Sequence, residues 1–382
     1  MFVKAQNYGN RGNVACKCIK IAWACPKAVL FVTSPRPSIA GLRAFYCNHS
    51  RKKNIFSTSF SCVSYLYRMS IQSGIVVKST GSWYTVLLTT GERMECRIKG
   101  QFRIKGLNLK NTNPIAVGDS VGVELDPVEN IGIISVLNDR KNYIIRRSTN
   151  LSKQTHIIAA NVDHAYVMAT LIEPRTSTGF IDRFLVTAEA YGISASVIFN
   201  KSDLLNSEYQ DYVNALMNLY TELGYSCISL SALQQDQTAA LHTIMQGKIN
   251  LIIGHSGVGK STLINALIPS LSIKTSAISK AHRKGTHTTT FAEMHEMKGG
   301  GFIIDTPGIK ELGIVDIKKN ELSHFFPEMR SRLGQCKFNG CRHNQEPDCA
   351  VKEAVKNSKI ALTRYDCYLQ ILNGEELVNE FN

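Results

Sequence analysis

From residue 69 onward, apolar and polar positions alternate in short bursts. Residues 74–78, 83–88 and 93–98 are β-branched and aromatic runs, and the Gly-, Ser- and Thr-bearing stretches 79–82 and 89–92 separate them. That pattern predicts three strands joined by tight turns. Residues 117–125 and 132–136 add two more. Five strands in so short a span have the size of a small closed barrel of the OB-fold kind. The period then changes. Apolar runs at 165–169, 196–199, 226–230 and 248–253 alternate with helical stretches at 181–191 and 209–223. Such alternation predicts βαβ units and a mostly parallel sheet covered by helices. Residues 139–147 read as a connector between the two patterns. Beyond Gly308 the texture loosens into helices around a Cys/His cluster, ending near Leu377. The expected architecture is therefore multidomain: an N-terminal β-barrel at 69–140, a central α/β domain at 141–320 and a mainly α-helical domain at 321–382.

Residues 1–68 fit neither pattern. They hold 11 Lys and Arg, no Asp or Glu, and five of the 11 cysteines. The whole chain of 382 residues has a formal charge of +14, but the part after residue 68 carries 33 basic against 30 acidic residues. A strongly basic chain invites a nucleic-acid reading; here most of that charge belongs to the first sixth of the sequence. Three readings of the segment stand: an upstream translated stretch with the functional start at Met69, an organelle transit peptide, or a polybasic arm. The favoured one is the upstream stretch, because the basic residues lack amphipathic helical spacing. In the barrel, Arg93, Arg97, Lys99, Arg103, Lys105 and Lys110 crowd one stretch, which suits a phosphate backbone or is simply a solvated loop. Apolar content of 44% excludes wholesale disorder. No apolar stretch is long enough to span a bilayer; the nearest, 19–32, is broken by Lys20, Pro26 and Lys27.

The chemistry concentrates in four places. Strand 249–253 runs into Gly254-His255-Ser256-Gly257-Val258-Gly259-Lys260-Ser261 and then into a helix opening with Thr262. Strand, G-x-x-x-x-G-K-S and helix, in that order, form a phosphate loop. Its glycines let backbone N–H groups wrap the phosphates, Lys260 reaches the β and γ groups, and the Ser261 hydroxyl ligates Mg2+. Asn200-Lys201-Ser202-Asp203 closes strand 196–199 with the N-K-x-D form. The Asp203 carboxylate there accepts both N1–H and the 2-amino group of guanine, which adenine does not offer. Lys201 packs along the base and Asn200 braces the loop. Ser231 and Ala232, after strand 226–230, are placed to give a backbone N–H to the guanine O6. Asp305-Thr306-Pro307-Gly308 supplies a D-x-x-G element, with Asp305 supporting Mg2+ and the Gly308 amide sensing the γ-phosphate. Residues 282–290, rich in threonine, suit a switch loop. Thr289 stands as the candidate Mg2+ ligand among Thr288–Thr290, which the sequence does not separate. The guanine loop precedes the phosphate loop, the reverse of ordinary GTPases, so the central domain reads as circularly permuted.

The fourth place is Cys336-x4-Cys341-x-His343-x5-Cys349. Three thiolates and one imidazole match a closed structural Zn2+ site, although the spacing is not that of a zinc finger.

Together these motifs resemble the RsgA (YjeQ/EngC-type) GTPases that depend on the small ribosomal subunit. The resemblance runs across 69–382 and is carried by NKSD at 200–203, GHSGVGKST at 254–262, GTHTTT at 285–290, DTPG at 305–308 and the cluster at 336–349. It implies an OB-fold, a circularly permuted P-loop GTPase domain and a zinc-binding domain. It also implies hydrolysis of GTP to GDP and phosphate on the 30S subunit and its 16S rRNA, in late subunit maturation. Ile309 occupies the position where many GTPases carry a water-orienting glutamine, and the resemblance gives that task to His287. The chain is expected to work as a monomer in the cytoplasm, off the membrane. Competing readings are a GTP-gated RNA-binding module with incidental hydrolysis, and a P-loop kinase or ATPase, which Asp203 opposes.

Overall fold

A computed structural model describes residues 71–98, 114–126, 131–147, 155–273, 292–306 and 317–375, together with four short strands nearer the N-terminus. Contacts divide the chain into two units, Met1–Ser70 and Ile71–Asn382. In the first, β1 (Ala5–Gln6), β2 (Lys17–Lys20), β3 (Ala28–Val32) and β4 (Arg43–Tyr46) pair antiparallel in chain order. Four paired strands arise where the sequence shows no sustained period, since elements of two to five residues are too short to display one.

The second unit opens with the barrel. Strands β5 (Gln72–Ser79), β6 (Tyr84–Leu88), β7 (Arg93–Ile98), β8 (Ser120–Leu125) and β9 (Gly132–Leu137) run β5-β6-β7-β9-β8 and close through β5–β8. The pairing β7–β9 is parallel and the others are antiparallel. Alternation does the work: Tyr84, Val86 and Leu88 point inward on β6 and meet Val76, Cys96, Val121, Val123 and Ile134 in one core.

Residues 139–147 are more than a connector. Their second half is β10 (Tyr143–Arg147), which forms a hairpin with β11 (Thr155–Ala160). Asn142 exchanges two 2.8 Å hydrogen bonds with the backbone of Val162, and Asn161 Nδ2 donates to the Gly118 carbonyl at 2.9 Å. The Asp119 carboxylate is held by Arg140 at 2.6 Å and by the Ala116 amide at 2.8 Å. Val77 and Val117 of the barrel enter the same core as Val167 and Phe184 of the next domain.

That domain is a sheet of order β14-β13-β12-β15-β17-β16, made of β12 (His164–Ala169), β13 (Ser194–Phe199), β14 (Ser226–Ser229), β15 (Ile249–Ile253), β16 (Glu293–Glu296) and β17 (Phe302–Asp305). All pairs are parallel except β16–β17. Helices cover both faces. On one lie α1 (Thr178–Ala190) and α2 (Ser207–Glu222); on the other lie α3 (Gln235–Met245) and α4 (Lys260–Leu267). Successive residues of β12 divide between the faces, with Val167 and Ala169 toward α1, and Tyr166 and Met168 toward α4. Ser177 caps α1 and Asn206 caps α2 through side-chain oxygens, satisfying first-turn amides. A single pair, Glu293 with Lys78, joins β16 to β5 and makes barrel and domain one sheet of eleven strands.

Helix α1 is buried on every side, because the C-terminal helices pack on its outer face: Val186 shares a core with Phe326, Met329, Val351 and Tyr368. Those helices are α5 (Pro327–Arg330), α6 (Ala350–Lys356) and α7 (Leu362–Asn373). A buried charge cluster meets Asp182 of α1 there. Arg364 donates to Asp182 at 3.0 Å and to both oxygens of Glu328 at 2.8 and 3.2 Å, stacks over Phe326, and is fully buried.

Candidate nucleotide and metal sites

The phosphate loop leaves β15 at the C-terminal edge of the sheet and enters α4, whose first residue is Lys260. Such an edge is where open α/β sheets present ligands. Two glycines are dictated by space. A Cβ on Gly254 would lie 2.6 Å from the Met168 carbonyl, and Gly259 is left-handed (φ 96°) with the Asn200 amide against it. Lys260 is buried and donates to the carbonyls of Gly254 at 2.7 Å and His255 at 2.9 Å. Burial lowers its ammonium to about 8, and Asp305 opposes that shift. Asp305, itself buried, ends β17 opposite Ile252 of β15, and Thr306 Oγ1 donates to the Ile252 carbonyl at 3.0 Å. Ser261 lies in the first turn of α4 with Thr262 beside it, Ser256 and Gly257 sit at the loop's mouth, and Val258 packs into the core.

Asn200 ties three motifs together. Its Nδ2 donates to the Val258 carbonyl in the phosphate loop at 2.8 Å, and its Oδ1 accepts from the Ala232 amide at 2.9 Å. The Ser231 amide donates to Gln237 Oε1 at 2.7 Å. In this arrangement the Ser231 and Ala232 amides are held by protein partners, so a guanine O6 reaching that loop shares a donor with Asn200 or Gln237. Lys201 is left-handed (φ 64°) and its Nζ donates to the Glu173 carbonyl. Burial lowers the Lys201 ammonium below its usual value, against Glu173 and Asp203. Asp203 is exposed at the mouth of the loop, free of the core that holds Asn200. Three separated sequence motifs thus converge on one edge.

Sequence reasoning missed Phe180, whose ring meets that of His255 at 3.8 Å between centroids with a tilt of 36° and ties α1 to the phosphate loop. It also missed Gln237. Neither carries a sequence signal, since both act by packing or by bonding to backbone. His287, Thr289 and Gly308 fall outside the described residues, as do Arg283, Lys284, Ile309 and, on the barrel's basic stretch, Lys99, Arg103, Lys105 and Lys110.

The ligand atoms of Cys336, Cys341, His343 and Cys349 all lie within 4.8 Å of one another. Cys336 Sγ is 3.9 Å from Cys349 Sγ, and His343 Nδ1 is 3.6 and 3.4 Å from those sulfurs. A tetrahedron with Zn–S of about 2.3 Å and Zn–N of about 2.0 Å has edges near 3.5–3.8 Å. The edges among Cys336, His343 and Cys349 match those of a four-coordinate metal site, and Cys341 completes the set within 4.8 Å. Burial lowers His343, keeping a neutral imidazole, and raises Cys341 to about 12, a shift that a bound cation would reverse. Tyr365 and Tyr368 hydroxyls donate to the carbonyls of His343 and Arg342, both at 2.7 Å, fixing the loop. Sequence spacing gives these ligands but not the two tyrosines behind them.

A P-loop and an N-K-x-D loop bound to each other by Asn200, in permuted order on one α/β sheet, define a circularly permuted GTPase carrying a β-barrel and a Cys3His helical domain. Comparison with known proteins agrees. Residues 137–315 match the RsgA GTPase family model and residues 73–134 the RsgA N-terminal domain. The chain is 53% identical over 306 residues to the small ribosomal subunit biogenesis GTPase RsgA of Flavobacterium johnsoniae, covering 80% of this chain and 94% of that one. It is 50% identical over 303 residues to the Bacteroides fragilis protein of the same name, covering 79% and 97%. Among solved structures it resembles YjeQ from Thermotoga maritima, with a TM-score of 0.62, 35% identity, and coverage of 80% of this chain and 98% of that chain. It also resembles YloQ, described as a circularly permuted GTPase, with a TM-score of 0.61, 29% identity and coverage of 81% and 96%. The chain belongs to the RsgA GTPase family.

Proposed function

We propose that this GTPase binds the small ribosomal subunit through its 16S rRNA and hydrolyses GTP to GDP and phosphate there, in late subunit maturation. The observation that carries the reading is Asn200, which locks the guanine loop to the phosphate loop beside a barrel and a metal-sized Cys3His cluster. The division is 69–140 for the barrel, 141–320 for the GTPase domain and 321–382 for the zinc domain. Asp203 reads guanine, with Lys201 along the base. Lys260 exchanges its two loop carbonyls for β and γ oxygens. The loop of Gly254, His255, Ser256, Gly257, Val258 and Gly259, with Thr262 behind it, cradles the phosphates.

Ser261, Thr289 and Asp305 would hold Mg2+, which neutralises charge developing on the phosphates. Ser261, in the first turn of α4, and the buried Asp305, which ends β17 beside β15, suit that ion. Cys336, Cys341, His343 and Cys349 would hold one structural Zn2+. His287 places the attacking water and Gly308 senses the γ-phosphate. The described residues contain no helix long and apolar enough to cross a membrane, and a monomer working in the cytoplasm fits the reading. The test is GTP turnover with and without 30S subunits: stimulation is expected, and equal rates reject activation by the ribosome. A His287→Ala variant that hydrolyses GTP normally on 30S subunits would remove that residue from the mechanism.

A further inference from the structure

Helix α1 meets the phosphate loop at its first turn. There the Phe180 ring lies against the His255 imidazole, 3.8 Å between centroids with a tilt of 36°. Both sides of that contact are held. Ser177 Oγ accepts from the Phe180 amide at 3.3 Å, and Phe180 is fully buried. The His255 carbonyl is one of the two that hold Lys260 Nζ, at 2.9 Å. The residue that Phe180 touches thus grips the lysine of the phosphate loop. The segment leading into α1 also reaches the guanine loop, where the Glu173 carbonyl accepts from Lys201 Nζ.

The outer side of the same turn belongs to α7. Cys367 Sγ lies 3.9 Å from the Gly179 carbonyl, next to Phe180, and Arg364 reaches Asp182 at 3.0 Å. Arg183 donates from Nη2 to the Glu375 carbonyl at 2.8 Å, where the chain leaves α7. All three contacts fall within residues 179–183, the stretch that carries Phe180. Helix α7 holds the metal-ligand loop as well, through Tyr365 and Tyr368. Packed interiors have low compressibility and pass strain from one face of a helix to the other.

We propose that Phe180 is a positioning residue through which the C-terminal helices set the place of the phosphate loop. It acts on the nucleotide through His255 and not by contact. This assignment rests on GTP occupying the phosphate loop and is independent of the ribosomal reading. The competing account is a purely structural core phenylalanine. Phe184, fully buried one turn further along α1 in the same core, supplies the comparison.

The experiment measures GTP affinity and turnover of the full, zinc-loaded chain without ribosomes, at a temperature where circular dichroism shows every variant folded. Phe180→Leu keeps an apolar side chain and removes the ring. At the worth of an aromatic pair, GTP affinity should fall roughly 2- to 12-fold. His255→Ala should lose a similar factor and the double variant no more, the signature of one shared contact. The loss should appear in KM with kcat held, because the loop binds ground and transition states alike. Phe184→Leu should lower the melting temperature and leave GTP affinity unchanged. Arg364→Met should weaken GTP binding in the parent chain and add nothing in Phe180→Leu. Additive losses in the Phe180→Leu/His255→Ala pair overturn the proposal, as does an equal loss in Phe184→Leu. GTP affinity unmoved by Arg364→Met overturns the role of the C-terminal helices. A parent chain that binds no GTP overturns the nucleotide reading itself. A parent that binds GTP while Phe180→Leu binds it equally well overturns this proposal alone.

Discussion

Arg364→Met isolates the charge that joins α1 to the C-terminal helices. Methionine preserves most of the stem packed on Phe326 and removes three hydrogen bonds, one to Asp182 and two to Glu328. Both carboxylates stay buried, at 0% and 7% exposure, and only the Tyr220 hydroxyl, 2.9 Å from Asp182, remains as a donor to Asp182. Among the described residues, Asp182 Oδ2 already lacks a partner. Removing one side of a buried ion pair costs about 3–5 kcal/mol. At about 2–4 °C per kcal/mol for a large domain, the melting temperature should fall by about 6–20 °C.

The loss should also depend on pH. Burial raises the Asp182 carboxyl above its ordinary value of 3.8, while Arg364 and Tyr220 pull it back. Without Arg364 the rise grows. A carboxyl raised in the folded state binds more protons folded than unfolded. Its stabilising contribution is therefore present at low pH and fades as pH climbs through the raised value. The deficit of the variant should thus be smaller near pH 5 than near pH 8. Thermal unfolding followed by circular dichroism at both pH values reads this directly. A deficit below about 1 kcal/mol, or one independent of pH, refutes the account of the network.

Three further outcomes follow from the sites. Asp203→Asn removes two charge-assisted hydrogen bonds worth about 1.5–3 kcal/mol each, so GTP affinity should drop about 10²- to 10⁴-fold and xanthosine triphosphate should gain; unaltered preference in competition binding refutes the guanine assignment. Lys260 titrates at about 8 and arriving phosphates raise that value, so GTP binding should take up a proton and weaken as pH passes about 8. Calorimetry in buffers of different ionisation enthalpy would show no uptake if the reasoning is wrong. Cys349→Ser should abolish stoichiometric zinc and unfold the C-terminal helices, since structural zinc supplies about 10–16 kcal/mol of folding energy; an unchanged melt with zinc retained refutes a structural role.

The sequence made the site's chemistry legible far better than its supports. The phosphate and guanine loops are read from contiguous residues whose types the chemistry restricts, and so is the metal cluster. Asn200 belongs to a motif, so its bracing role is foreseeable, but its two acceptor and donor partners are backbone atoms that any residue provides. The Asp182–Arg364 pair is illegible because 182 residues separate its members and a buried charge looks like a solvated one in a string of letters. Phe180 beside His255 is hidden likewise: a phenylalanine on an all-buried helix predicts core, not a ring against the phosphate loop. Strand β16 escaped notice since Glu293-Met294-His295-Glu296 offers one apolar residue in four, its fold being fixed by β17 and β5 rather than by its own pattern.

The rung between Lys78 and Glu293 also sets an order of events during synthesis. The barrel is closed by pairings within its own stretch of chain and can fold soon after that stretch is made. Its seat against β16 cannot form until roughly 160 residues more have been made, a loop whose closure is slow and entropically costly. Throughout that interval Lys78 and the barrel edge beside it wait in water, so the salt bridge with Glu293, at 3.3 Å, completes the eleven-stranded sheet late. A newly made chain can therefore hold a closed barrel while the rest of its GTPase is still being made.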